Sequence, residues 1–373
     1  MKRTVYLILI LAAVFSLFST RASAQTAEAF DESIEELKNS VSGDVRERMS
    51  QLGYDGTEIS EASDITVSSA LKTVEGMICD SAAGPMAACA ILTAVIILSS
   101  LLESYTFSLR YADTKEVMNV VSSLLIIATL VTPITALIRT SMETVRSTAS
   151  LMLVYVPIMI GIMAFSGHVI SSGGYYATVM TASQGIAQLT NVLIAPLLNL
   201  FLAISVSSAI SERVKLNGIC ELLSKLIKWT LAFSMTIFTA VLSIRGFAAN
   251  AADSVASKTL RFTFSSFIPV VGASISDAYK AIESSVGLLR SGVGVFVIIA
   301  VIAAFLPIIL QIMLWQLSVM IAKTVATTFS VDSTAAVLNA IGTVLSVMMA
   351  VIACLTSVFL ISTGVLLSIG GGS

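Results

Sequence analysis

The chain has 373 residues, 56% of them hydrophobic and 12% charged, with a formal net charge of −2, and its mean hydropathy is +0.94. An ordinary soluble domain carries roughly 25% charged residues, so this composition excludes a purely soluble fold and points to hydrocarbon as the solvent. The near-neutral balance also lacks the basic field that nucleic-acid binding requires.

At the start, Lys2 and Arg3 precede the apolar run Val5 to Phe18, and Ala22-Ser23-Ala24 stands before Gln25. That order reads as a signal peptide over 1–24, with the mature chain beginning at Gln25 and the next segment delivered outside the cytoplasm. Residues 25–84 are acid-rich, with Asp31, Glu32, Glu35, Glu36, Asp44 and Glu47 among acids that outnumber the bases Lys38, Arg46, Arg48 and Lys72. Ile34, Leu37, Val41, Val45, Met49 and Leu52 recur at three- and four-residue spacing, which predicts one apolar helical face. Gly53 and the Asp55-Gly56 pair end that helix, and a second is expected over Ser68 to Ile78. So short a segment builds a poor core alone. It is expected to form a small extracytoplasmic helical region leaning on the membrane or on a partner.

From 85 to 373 the chain reads as a multi-span membrane domain. Residues 147–211, 291–322 and 333–373 contain no Asp, Glu, Lys or Arg. A charge at the centre of a lipid-facing helix costs about 2.5–3.5 kcal/mol on insertion scales, so such tracts mark membrane segments. With about twenty apolar residues needed per crossing, the candidates are Pro85 to Leu102, Val117 to Ile138, Ile186 to Ile210, Leu226 to Ile244, Gly292 to Ile321 and Ala335 to Leu367. Two further segments are broken: Ser150 to Ile170 by Pro157, Gly161 and Gly167, and Phe262 to Ile275 by Pro269 and Gly272. The expected fold is an all-α polytopic membrane protein of six to eight spans. Val301 and Ile302 are expected to face lipid, and Ser276 to Arg290 to lie as an amphipathic helix in the interface.

The broken segments suggest an internal repeat. Gly161 and Pro196 recur as Gly272 and Pro307 at a constant offset, and Tyr155-Val156-Pro157 recurs as Phe267-Ile268-Pro269 one residue out of step. The repeat units would occupy 115–212 and 225–323. Paired Gly/Pro-interrupted segments in two halves are the sequence pointer to a transporter-like site at the bilayer midplane. Pro157, Gly161, Pro196, Pro269, Gly272 and Pro307 are therefore the pathway candidates. The Lys/Arg distribution leaves the orientation of the two halves open. The last span carries Gly342, Ser346, Ala350 and Cys354 on one face, a small-residue ladder that admits a close helix neighbour.

Catalytic chemistry has little to stand on. His168 is the single histidine, so no HExxH or multi-histidine metal site exists, and no GxxxxGK[ST] phosphate loop is present. Glu143, Glu212, Asp253, Asp277, Glu283 and Asp332 lie at span ends or in loops, and Cys79, Cys89, Cys220 and Cys354 lack ligand spacing. The expectation is a protein that is not an enzyme and carries no cofactor or metal. Asn191, Asn199, Ser205, Ser207 and Ser208 inside one span report bundle packing before a water-filled path.

One stretch carries a specific resemblance. Arg245-Gly246-Phe247-Ala248-Ala249, then Asp253, Thr259-Leu260-Arg261, Phe267-Ile268-Pro269-Val270, Gly272 and Asp277-Ala278 resemble the stage III sporulation protein AE family of endospore-forming bacteria. The Ser171-Ser172-Gly173-Gly174 loop and Ala195-Pro196-Leu197 fit as well. The resemblance implies a mother-cell membrane subunit, in the outer forespore membrane, of the channel complex linking mother cell and engulfed forespore. Its implied partners are the other stage III A operon membrane and ring proteins, a separate secretion-type ATPase and the forespore stage II protein Q. The family brings no catalytic residues and no transported substrate. The residues alone leave a self-sufficient secondary transporter of a small solute as the alternative.

Overall fold

The computed structural model describes residues 32–54, 67–109, 112–165, 169–210, 218–241, 244 and 272–368. Among them there is no strand. Helix α1 (32–40) and α2 (Gly43–Gln51) form a short hairpin. Helices α3 (Val67–Leu109) and α4 (Ala112–Phe165) form a long one. Helix α5 (Val169–Leu189) runs through a π-helical turn, Thr190–Ile194, into α6 (Ala195–Ile210), and α7 covers 218–241. A second long hairpin, α8 (Gly272–Thr328) and α9 (Asp332–Ser368), completes the described chain.

Among the described residues five stretches are long and apolar enough to cross a membrane: Leu71–Leu102, Val120–Met163, Thr178–Ser207, Arg290–Thr328 and Asp332–Val365. Helices α8 and α9 share the largest contact, and α4 touches α3, α5, α6, α8 and α9. The core is therefore built around α4, α8 and α9. From Val293 to Phe305, the residues Val293, Phe296, Val297, Ile299, Ala300, Val301, Ala303, Ala304 and Phe305 are all buried, and Phe305 stacks on Phe359 with ring centroids 5.9 Å apart.

Local chemistry sets the turns. At the end of α2 the Tyr54 amide donates to the Met49 carbonyl and the Gly53 amide to that of Ser50, with Gly53 at φ 89°. That helix stop requires a left-handed residue, which glycine adopts without a Cβ penalty. Tyr54 is thereby delivered onto Phe296 of α8, centroids 5.8 Å apart. The α8–α9 turn uses the same bonds, Val331 to Ala326 and Ser330 to Thr327, but puts Ser330 in the left-handed position at φ 57°.

The structure corrects the expected segmentation. Val117 to Ile138 and most of Ser150 to Ile170 are one continuous helix, α4, which passes through Pro133 and Pro157. Pro157 removes one backbone bond, a loss of about 3 kcal/mol. Leu151, Met152, Tyr155, Val156, Ile158 and Met159 are buried on either side of it, and at about 1.5–3 kcal/mol each that burial outweighs the break. Arg139 lies within this helix and pairs with Glu143 one turn on, Nε to Oε1 2.9 Å. The unit of helix followed by separate broken segment is thus not seen in the first half of the proposed repeat. The expected span Leu226 to Ile244 falls on α7 and undescribed residues, and α7 is not among the five apolar stretches. Residues 276–290 are helical but form the first part of α8 rather than a separate element. Val301 is fully buried, not lipid-facing, because α8 is enclosed by its neighbours at that level, while Ile302 is 39% exposed. The signal peptide, His168 and Pro269 lie outside the described residues.

Candidate functional site

The α1–α2 hairpin places charge against an apolar helix. Its inner face buries Leu37, Val41, Met49, Leu52 and Tyr54, while Glu35, Glu36, Asp44, Arg46 and Glu47 are exposed on the outer face. The Arg46 guanidinium donates to the Lys38 carbonyl and, at 3.4 Å, to Asn39 Oδ1, tying α2 to the end of α1. The Thr73 hydroxyl donates to the Gln51 carbonyl, tying α2 to α3.

Between α2, α3 and α8 this leaves a polar cleft of about 240 Å³, lined by Asp44, Glu47, Arg48 and Gln51 of α2, Met77, Asp80 and Ser81 of α3, and Pro307 of α8. A second opening of about 580 Å³, between the hairpin and Phe296, includes Glu35, Lys38, Arg46 and Glu47. Two prolines flank the first cleft. Pro307 lines it directly, and Pro85, lacking an N–H, leaves the Ser81 carbonyl without its usual helical donor. The Pro85 carbonyl accepts from the buried Ser318 hydroxyl of α8 at 2.8 Å, which fixes the register of α3 on α8.

The pathway candidates are not gathered in one place. Pro157 is exposed and Gly161 half-buried near the end of α4, and a Cβ built on Gly161 meets nothing within 4 Å. Pro196 is exposed, just after the π-helical turn. The widened turn lies where a missing N–H and the ring's clash with the carbonyl four residues back must be absorbed. Gly272 is the first residue of α8. On α9, Ser346 and Ala350 are exposed while Gly342 and Cys354 are half-buried, and a Cβ on Gly342 would sit 3.7 Å from Val319 Cγ1. That ladder's Gly342 end therefore faces α8 of the same chain. Among the described residues no group of three or more His, Cys, Asp or Glu could hold a metal ion. The acidic, amphipathic pattern of 32–52 was visible in the sequence, but the docking of its apolar face on α8 had no sequence signal, since a charge-free helix reads as lipid-facing.

Comparison with known proteins adds the family. The chain is 28% identical to stage III sporulation protein AE of Bacillus subtilis (strain 168) over 165 residues, 44% of this chain and 41% of that protein. It thus matches less than half the length of this curated relative. No solved structure matches the chain. The family model for stage III sporulation protein AE matches residues 56–370, which include all of α3 to α9 and so every element that lines the cleft except α2. The chain therefore belongs to the stage III sporulation protein AE family.

Proposed function

We propose that this chain is a non-enzymatic, multi-pass component of the mother cell–forespore channel or export complex required for endospore development. The observation that carries the reading is the family match over 56–370 on a chain whose five apolar stretches suit a membrane. In this reading residues 1–24 are a cleaved signal peptide, 25–84 face the space between the two membranes, and the protein sits in the mother-cell membrane around the forespore. Its partners are the other stage III A operon proteins, a separate secretion-type ATPase and the forespore protein Q. The ATPase supplies the energy, since this chain has no nucleotide loop.

A self-sufficient secondary transporter would draw on the repeat, and the continuity of α4 through Pro157 offers it no support. Flux separates the two readings. Purified alone into vesicles, a channel subunit is inert, whereas a transporter moves its solute. Pro269 and Gly272 test the proposed path: the double alanine variant is expected to insert but to block partner assembly or forespore development. Paired alanine changes at Leu98 and Leu125, 59% and 51% exposed, are the controls expected to be silent. Normal assembly and sporulation of the inserted Pro269/Gly272 variant would remove those residues from the path.

A further inference from the structure

The five apolar stretches are longer than one bilayer. Val120–Met163 spans 44 residues, about 66 Å at 1.5 Å per residue, against about 30 Å of hydrocarbon. Charges mark where hydrocarbon can begin and end. On α3 the stretch from Ser81 to Leu102 is charge-free between Asp80 and Glu103, and on α4 the stretch from Val117 to Ile138 is charge-free between Glu116 and Arg139. Each is 22 residues, or about 33 Å.

The two stretches lie side by side. Ser99 and Ser122 are hydrogen-bonded, Oγ to Oγ 2.6 Å, across the antiparallel hairpin. Nineteen residues from that pair lie Asp80 on α3 and Ser141 on α4, so Asp80 stands level with the Arg139–Glu143 ion pair, whose side chains are 82% and 60% exposed. On this hairpin the exposed large apolar side chains concentrate inside those limits, with Leu71, Ile78 and Leu153 outside them among the described residues of α3 and α4. Met86, Ile91, Ile97, Leu98 and Leu101 of α3 and Val120, Val121, Leu124 and Leu125 of α4 all lie inside the slab. Beyond it α4 exposes Glu143, Arg146, Ser147, Ser150, Leu153 and Pro157.

The α1–α2 hairpin sets the same limit independently. It meets α3 at Met77, Asp80 and Ser81 and α8 at Phe296 and Pro307. Hydrocarbon around that part of α8 would have to solvate Asp44, Arg46 and Glu47, all exposed. Hydropathy favours Arg290–Thr328 above the other four stretches. Along its first half Val293, Phe296, Val297, Ile299, Ala300, Val301, Ala303, Ala304 and Phe305 are buried by protein, with Ile302 the exposed large apolar side chain.

We propose that lipid acyl chains contact this protein on the α3–α4 face between the Asp80/Arg139 level and the Glu103/Glu116 level, and that the rest of α4, with the α1–α2 hairpin and the first half of α8, stands in water outside the bilayer. The apolar interior of that outer part is shielded by protein. The inference rests on membrane location alone, so a failure to find channel partners leaves it untouched.

The unmodified protein supplies the first test. Cys79 is exposed just outside the slab and Cys89 is half-buried within it. Membranes of both orientations are treated with a membrane-impermeant maleimide and the modified cysteines are mapped by mass spectrometry. Modification of Cys79 in one orientation, and of Cys89 in neither until detergent is added, is expected. An unreactive Cys79 or a reactive Cys89 overturns the boundary. The second test places nitroxide labels singly, through Leu98→Cys, Leu125→Cys, Ser147→Cys and Ser150→Cys in a background with the native cysteines replaced, in phosphatidylcholine/phosphatidylglycerol liposomes. Collision with oxygen should dominate at 98 and 125, and collision with a water-soluble nickel chelate at 147 and 150. Oxygen dominance at 147 and 150 contradicts the proposal, and so does shielding of 98 and 125 from both reagents, the result if a second copy covers that face. Should the labelled variants fail to insert, the native cysteine map decides alone.

Discussion

Gly294 and Gly342 look alike in the sequence, each a small residue in a charge-free stretch of a long helix, and they differ in what surrounds them. A Cβ on Gly294 would fall 2.2 Å from Leu367 Cδ2 and 2.6 Å from its Cγ, whereas one on Gly342 would find only Val319 Cγ1 at 3.7 Å. Gly294→Ala is therefore expected to destabilise the α8–α9 pair by about 1–3 kcal/mol through overpacking. Gly342→Ala is expected to be near neutral, and thermal unfolding in detergent, followed by tryptophan fluorescence, compares the two. Ser330 offers the opposite sign. Its φ of 57° costs a residue with a Cβ about 1 kcal/mol or more, so Ser330→Gly should raise the unfolding midpoint. An unchanged or lower midpoint would mean that the serine side chain has a compensating role. The small-residue ladder on the last helix was legible because small residues recur on one helical face. The clash at Gly294 was not, because its partner lies 73 residues away at the far end of another helix.

At the scale of elements, the fate of the prolines separates what periodicity can tell from what packing decides. A proline inside an apolar run reads as a break, and at Pro196 the helix does widen to a π-turn. At Pro157 the buried side chains on both sides carry the helix through. Hydropathy cannot distinguish two spans from one helix of double length with an ion pair halfway. That is why one stretch of 44 residues, Val120–Met163, stands where the sequence suggested two segments. The α1–α2 hairpin depends on Tyr54, fully buried against Phe296. Tyr54→Ala removes a buried aromatic, at about 3–5 kcal/mol, and should release the hairpin. Limited proteolysis checks this, with faster cleavage within 32–54 and unchanged cleavage of α3 to α9; equal rates in both proteins would show that Tyr54 does not hold the hairpin. Ser318→Ala should cost about 0.5–1.5 kcal/mol, since the helix still supplies Pro85's carbonyl with a donor of its own.

For the whole molecule, the sequence announced a helical membrane protein through its charge-free tracts, and its family through the 245–278 stretch. It could not announce which apolar helices meet lipid, because burial by protein and burial by hydrocarbon select the same side chains. Helix α9 shows the point: it is charge-free after Asp332, yet among its described residues those exposed beyond Asp332 are Ala336, Asn339, Thr343, Ser346, Ala350, Ala353 and Ser357, with no large apolar group among them. Lys323 of α8 donates to Asn339 at 2.8 Å on that side. Such a face suits protein or water, while the α3–α4 face suits lipid. The most direct measurement is to crosslink and capture the full-length chain from sporulating cells and identify the membrane proteins that come with it. The account predicts the other stage III A operon proteins, with the ATPase among them. Recovery of the chain without them, from cells at the stage when all are made, would contradict it.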